Sequence, residues 1–160
     1  MSDLLLAIDP GKSGGFAWQF KGSPVACERM PEVEAEIVAM ISYWRAGSNP
    51  YESKAPSAYI EKVGGYAGTP QPGSRMFTFG RNVGVIMGAL YAAGYRIKEV
   101  APTRWQTKLG IGGIDPKKRK AEFRNKAHQL YPHLGKDITL KTADALLIFD
   151  YACQIQGRPN

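Results

Sequence analysis

Three carboxylates stand where a folded chain would not place them without a purpose. Asp9 ends the apolar run Leu4–Ile8 and opens the turn Pro10-Gly11-Lys12-Ser13-Gly14-Gly15. Glu61 ends a second apolar run, Ala58-Tyr59-Ile60, and Asp144 precedes Ala145-Leu146-Leu147. Each acid is attached to a segment that must be buried, and an unpaired buried carboxylate is costly, so something cationic is expected to meet it. Hard oxygen donors suit Mg²⁺, with Mn²⁺ as a substitute, and such ions usually keep several waters. Two of them about 3.5–4 Å apart can activate water and stabilise the leaving oxygen in phosphodiester hydrolysis. Asp9, Glu61 and Asp144 are therefore the candidate catalytic and metal-holding residues. The plainer alternative treats them separately: Asp9 capping its own turn, Glu61 paired with Lys62 or Arg75, and Asp144 as an ordinary acid near a helix N-terminus.

The positive charge is unevenly spread. The chain carries 21 Lys and Arg against 14 Asp and Glu, a net of +7. Residues 1–80 hold 7 basic and 8 acidic residues, whereas residues 81–160 hold 14 and 6, so the excess lies in the second half. That asymmetry points to a polyanionic partner. Lys117, Lys118, Arg119, Lys120, Arg124 and Lys126 fall within ten residues. Phosphate contacts from such a run supply affinity and salt dependence rather than sequence reading. Lys12, Arg75, Arg81, Lys108 and Lys136 are further candidates, with Lys12 close to Asp9. Tyr66, among glycines, and Phe77, after two prolines, are candidates for stacking on an unpaired base.

The elements that must position these residues follow from periodicity. Leu4–Ile8, Phe16–Phe20 and Pro24–Glu28 read as an antiparallel meander of three strands. A helix opening at Pro31 carries acids near its start and an apolar stripe of Val33, Ile37, Ile41 and Trp44. Ser57–Glu61 is a strand and 64–73 a long loop. From Ser74 to Ala93 the pattern is helical, with Gly80, Gly84 and Gly88 forming a small-residue row suited to close helix approach, internal or between subunits. Tyr95–Val100 is a strand and Pro102 starts a short helix. In a helix over 117–131, Phe123, Ala127 and Leu130 face inward and Lys117, Lys120 and Arg124 outward. A last helix runs from Thr142 to about Gln156. The order β-β-β-α-β-α-β-α-α-α describes an α/β fold with a mixed sheet. Residues 1–157 read as one domain and 158–160 as a short tail.

Several motifs resemble one family. Leu5, Ala7, Ile8, Asp9, Pro10 and Gly11 resemble the opening motif of RuvC-type Holliday junction resolvases, above all their short phage-borne branch. Tyr59-Ile60-Glu61 resembles their second acidic strand. Val100 to Trp105, followed by the basic segment 117–126, resembles their later helices, and Ala143-Asp144-Ala145-Leu146 their acidic helix start. The resemblance runs along nearly the whole chain in the same order. It implies a ribonuclease H-like fold, a five-stranded mixed sheet flanked by helices. It also implies a homodimer that nicks a four-way DNA junction symmetrically with two divalent metals, leaving 5′-phosphate and 3′-hydroxyl ends. In that family an apolar residue near Tyr66 and Phe77 wedges into the junction centre; the alternative for Phe77 is to begin the core of the helix with the Gly80, Gly84 and Gly88 row, which is the expected dimer helix. One departure stands out. The position three residues before the last acid, usually Asp or His, is Lys141, which is left to contact phosphate or to point to solvent. Asp137 is the alternative source of a fourth ligand.

Other classes fit less well. Gly11-Lys12-Ser13 looks like the tail of a P-loop, but the glycine required five positions before Gly11 is Leu6. An actin- or sugar-kinase-like ATPase needs two such domains around its nucleotide. A non-catalytic branched-DNA-binding module remains the main competitor. Cys27 and Cys153 form no metal pattern and read as reduced thiols, which suits the cytoplasm of a bacterial cell or of a phage-infected host. No apolar run is long enough to span a bilayer, and no membrane association is expected.

Overall fold

The computed structural model describes residues 3–49, 51, 54–64 and 72–158. Five strands, β1 (Leu4–Asp9), β2 (Gly15–Phe20), β3 (Ala26–Arg29), β4 (Ser57–Glu61) and β5 (Arg96–Val100), form one sheet in the order β3-β2-β1-β4-β5. The β1–β2 and β2–β3 pairs are antiparallel, whereas β1–β4 and β4–β5 are parallel. The mixed sheet expected from the sequence is thus present, with the meander on one side and the parallel crossovers on the other.

The helices are α1 (Glu34–Gly47), α2 (Gly73–Ala92), α3 (Pro102–Lys108), α4 (Pro116–Leu130) and α5 (Ala143–Gln156). α1 begins three residues later than Pro31 suggests, with Val33 as its N-cap. A 3₁₀ turn over Pro132–Asp137, which periodicity does not reveal, joins α4 to the segment before α5.

Strand alternation sorts the side chains onto two faces. Leu4, Leu6 and Ile8 of β1 join Ala58 and Ile60 of β4 in a core with Ile37, Ile41 and Trp44 of α1 and Ile86 and Leu90 of α2. There the Trp44 ring lies 5.2 Å from Phe16 and 4.5 Å from Trp18, centroid to centroid. Leu5 and Ala7 face the other way with Tyr59, against Trp105 of α3, Phe123 and Ala127 of α4 and the apolar length of α5. α5 is buried from Ala143 to Cys153. It crosses β1, β2 and β4 as the central helix of that layer. The sequence pattern shows only its apolar run and not that it is enclosed on nearly all sides.

The Gly80, Gly84 and Gly88 row of α2 is not an internal packing face. A Cβ placed on any of the three would meet nothing within 4 Å among the described residues. Phe77 and Tyr91 on the same helix are exposed. Phe77, Gly84, Gly88 and Tyr91 recur at intervals of three, four and seven residues, so they share one outward stripe. No helix among the described residues is long and apolar enough to cross a membrane. Tyr66 lies outside the described residues.

Candidate active site

The sheet register brings the first two acids together. β1 and β4 run parallel with Ile8 opposite Ile60, so one step further along both strands places Asp9 beside Glu61. By alternation both side chains leave the sheet on the side of Leu5, Ala7 and Tyr59, the side covered by α3, α4 and α5. Asp144 comes from the opposite direction, in the first turn of α5.

The approach of α5 to the strand ends depends on two glycines. A Cβ on Gly14 would lie 2.0 Å from the Asp9 carbonyl oxygen. A Cβ on Gly15 would lie 2.6 Å from the Glu28 carbonyl oxygen and 3.0 Å from that of Lys141. Only glycine leaves room for the turn to fold on itself and for the segment before α5 to settle against β2. That segment is held by Thr142, whose hydroxyl donates to the Asp137 carbonyl oxygen at 2.8 Å and accepts from the Thr139 N–H at 2.8 Å.

The three carboxylates feel one another. Burial, and then the negative charges of Asp144 and Glu61, push the Asp9 carboxyl well above the usual carboxylate range, against the opposing pull of Lys120. Burial also raises Glu61, opposed by a hydrogen bond from the Trp105 indole; Asp144 adds to the rise and Lys120 offsets it. Desolvation disfavours the charged form of a buried acid, and like charges at close range deepen the effect.

Lys120 brings the compensating charge. Its ammonium donates to Asp144 Oδ2 at 2.7 Å. Burial works against the Lys120 charge, but Asp144, the hydrogen bond to it, Asp9 and Glu61 outweigh that and hold the ammonium above the usual lysine value. Lys120 is exposed on α4, as the spacing implies, but its ammonium reaches back to the acids. Lys117, Lys118 and Arg124 are exposed as well, and Arg119 is half-buried.

Other expected pairings differ. Glu61 is met by neither Lys62 nor Arg75. Trp105 Nε1 donates to its Oε2 at 3.0 Å. The Gly11 N–H in the turn after Asp9 is capped by Asn82 Oδ1 at 2.8 Å rather than by Asp9. Arg81 forms a two-pronged ion pair with Glu34, at 2.6 and 2.8 Å. Lys141 is exposed. Asp137 is exposed on its 3₁₀ turn, and its charge bears on the Cys27 thiol. Lys12 and Arg75 line a cavity of about 450 Å³ with Ser13, Ser74, Thr78 and Asn82. A neighbouring cleft of about 290 Å³ is lined by Asp9, Lys12, Phe79 and Lys120. The two hollows share Lys12, Ser13 and Phe79, so a basic path leads from α2 to the acids. Lys108 lies exposed at the end of α3.

The donor set suits a hard divalent cation. As the side chains stand, no three described His, Cys, Asp or Glu side chains are gathered tightly enough to hold an ion. Yet, among the described residues, Asp144 Oδ1 is buried without a hydrogen-bond partner, and an orphaned buried acceptor of this kind requires a partner. Three carboxylates, one with a free buried oxygen, are the ligands Mg²⁺ or Mn²⁺ prefers.

Comparison with solved structures decides the architecture. The RuvC structure from Thermus thermophilus superposes with a TM-score of 0.60 over 96% of each chain, at 15% sequence identity. The fold is that of RuvC. A second structure, T. thermophilus RuvC in complex with a Holliday junction substrate, matches with a TM-score of 0.57 and 17% identity, covering 97% of this chain and 94% of that one. The fold that the sequence motifs imply, a five-stranded mixed sheet flanked by helices, is thus the fold these two structures share with this chain. No protein-family model matches the chain, and no curated protein matches it in sequence.

Trp105, Asn82 and Phe79 complete the surroundings of the acids; Trp105 falls in the Val100 to Trp105 motif without a role of its own there, and Asn82 and Phe79 fall in no motif. Asn82 had a signal: it is the polar member of the buried row Asn82, Ile86 and Leu90, and a buried amide needs a partner. Trp105 had one too, because a buried indole N–H must find an acceptor.

Proposed function

We propose that this chain is a divalent-metal-dependent endonuclease that resolves four-way DNA junctions. The observation that carries the reading is that Asp9, Glu61 and Asp144 act on one another's charge at the end of a RuvC-like sheet, with Asp144 Oδ1 buried and, among the described residues, without a hydrogen-bond partner. The three acids are the residues that would hold two Mg²⁺ ions, or Mn²⁺ in their place. Bound there, the metal supplies charge neutralisation at the scissile phosphate and a lowered pKa for the attacking water.

The chain's own groups do the rest. Asp9 and Glu61 sit on strand ends in the middle of the sheet, so their backbone cannot drift. Lys120, held against Asp144 at the end of the cleft, serves as a cation for a phosphate oxygen. Lys12 and Arg75 offer further phosphate contacts along the path from α2. Lys117, Lys118, Arg119 and Arg124 add a basic flank on α4, and Lys108 and Lys141 are further exposed cations for phosphate. Hydrolysis breaks the bond between phosphorus and the 3′ oxygen, giving the 5′-phosphate and 3′-hydroxyl ends.

The protein is read as a homodimer joined through the outward stripe of α2. A two-fold dimer matches a substrate with two symmetric scissile strands, and exposed Phe77 and Tyr91 beside bare glycines form a surface better covered than wet. The T. thermophilus complex with a Holliday junction supports branched DNA as the substrate class. Tyr66 and Phe77 are the candidates to enter the junction, and the bacterial or phage-infected cytoplasm is the proposed setting.

A cleavage panel of four-way, three-way, forked and linear DNA with Mg²⁺ and Mn²⁺ tests this reading. The expected result is metal-dependent nicking of four-way DNA, abolished in Asp9→Asn while that variant still binds the junction in Ca²⁺. Full activity of Asp9→Asn would remove the acids from the mechanism. Binding without cleavage under every metal would make the chain a non-catalytic DNA-binding module.

A further inference from the structure

Trp105 is fully buried, and its single polar atom is directed at the site. Its indole N–H donates to Glu61 Oε2 at 3.0 Å. The ring is caged: Phe123 of α4 meets it edge-on, 5.2 Å between centroids at 64°. Trp105 belongs to α3, which opens at Pro102 just after β5. β5 in turn pairs with β4 so that Val100 lies opposite Glu61. The donor and the carboxylate are therefore held by neighbouring strands and the helix that follows one of them.

A glutamate's terminal torsion is broad and roughly two-fold. A fixed donor on one oxygen removes that freedom. Among the described residues no donor meets the other oxygen, Oε1. We propose that Trp105 is a positioning residue, which locks the rotation of the Glu61 carboxylate and presents Oε1 to the site. This rests on the reading of Glu61 as a site acid. Tryptophan does here what phenylalanine or leucine cannot, because either would fill the same core and leave the carboxylate free to turn.

The three tryptophans of the chain allow a direct test. In a ¹H–¹⁵N spectrum of the folded protein, Trp105→Phe identifies the Trp105 indole resonance. Glu61→Gln removes the charged acceptor and is expected to move that resonance upfield. Mg²⁺ added without DNA is expected to move it as well. Trp18 and Trp44 pack on the opposite face of the sheet, so their resonances should stay in place. In cleavage assays Trp105→Phe is expected to lower kcat by about tenfold to a hundredfold, the scale of a small misplacement of a reacting group. KM for the junction should stay near the wild-type value, and the Mg²⁺ concentration for half-maximal rate should rise.

An indole resonance unmoved by Glu61→Gln, or a Trp105→Phe enzyme with wild-type kcat and metal dependence, overturns the proposal. If Trp105→Phe does not fold, Trp105 is identified from the resonance that Glu61→Gln shifts, and the Mg²⁺ titration on intact protein decides. The failures separate cleanly. A wild-type protein that cleaves no branched DNA with either metal sinks the nuclease reading and the catalytic purpose of the lock with it. An active wild type matched by Trp105→Phe sinks the lock alone.

Discussion

The Lys120 ammonium meets the Asp144 carboxylate at 2.7 Å, joining the second turn of α4 to the first turn of α5 across 24 residues. Lys120, Phe123 and Ala127 lie at helical spacing, so Lys120 shares the edge of the stripe that α4 buries. Its stem follows that apolar edge while the charged end, with the side chain half exposed, reaches the acids.

Neutralising this lysine should therefore differ from neutralising its neighbours. Lys120→Met is expected to lower kcat for junction cleavage by about 10²-fold, the scale set by loss of one preorganised charge at a developing transition state. Junction affinity in Ca²⁺ should change little. Single-turnover cleavage beside a binding titration measures both, and equal loss in the two would return Lys120 to the DNA-binding flank.

The exposed cations of α4 should show the opposite behaviour. Lys117→Ala and Arg124→Ala are each expected to weaken junction binding and to reduce the slope of log K against log salt by about one unit at most. Cleavage of bound DNA should persist. Binding isotherms at several salt concentrations report the slope, and an unchanged slope would place the DNA elsewhere.

Asn82 ties α2 to the turn after Asp9. The Gly11 ring contact reinforces the tie, because a Cβ on Gly11 would meet the Phe79 ring at 2.9 Å. Asn82→Leu would leave the Gly11 N–H without its acceptor, which costs about 1–3 kcal/mol for a buried donor. We expect a lower urea midpoint and faster hydrogen exchange at the Gly11 amide. An amide that stays equally protected would show that the turn holds itself.

The glycine row makes a clean test of association. Among the described residues nothing within 4 Å opposes a side chain at Gly84, so Gly84→Leu should leave the protomer folded. If the α2 stripe is the dimer interface, sedimentation should shift toward monomer and junction cleavage should fall. An unchanged, active dimer would move the interface to another surface.

Much of the architecture is legible in the residues alone. Two short apolar runs that end in carboxylates, at Asp9 and Glu61, read as buried strands that reach a polar rim, and the structure places both in the sheet. The bare glycines of α2 are visible as a row, but whether the row faces inward or outward depends on what packs over it. The same holds for the side chains that complete the site. Lys120 looks like one cation among six, Trp105 like core filling and Asn82 like an isolated polar residue, because short-range spacing states which face of a helix a residue occupies and not which distant element lies opposite. The residues alone mark out the three acids, their order and the elements that carry them. Their partners come from packing: Lys120 for Asp144, Trp105 for Glu61 and Asn82 for the turn after Asp9. Each partnership spans 24 residues or more, and contacts of that range exist only once the helices have packed on the sheet.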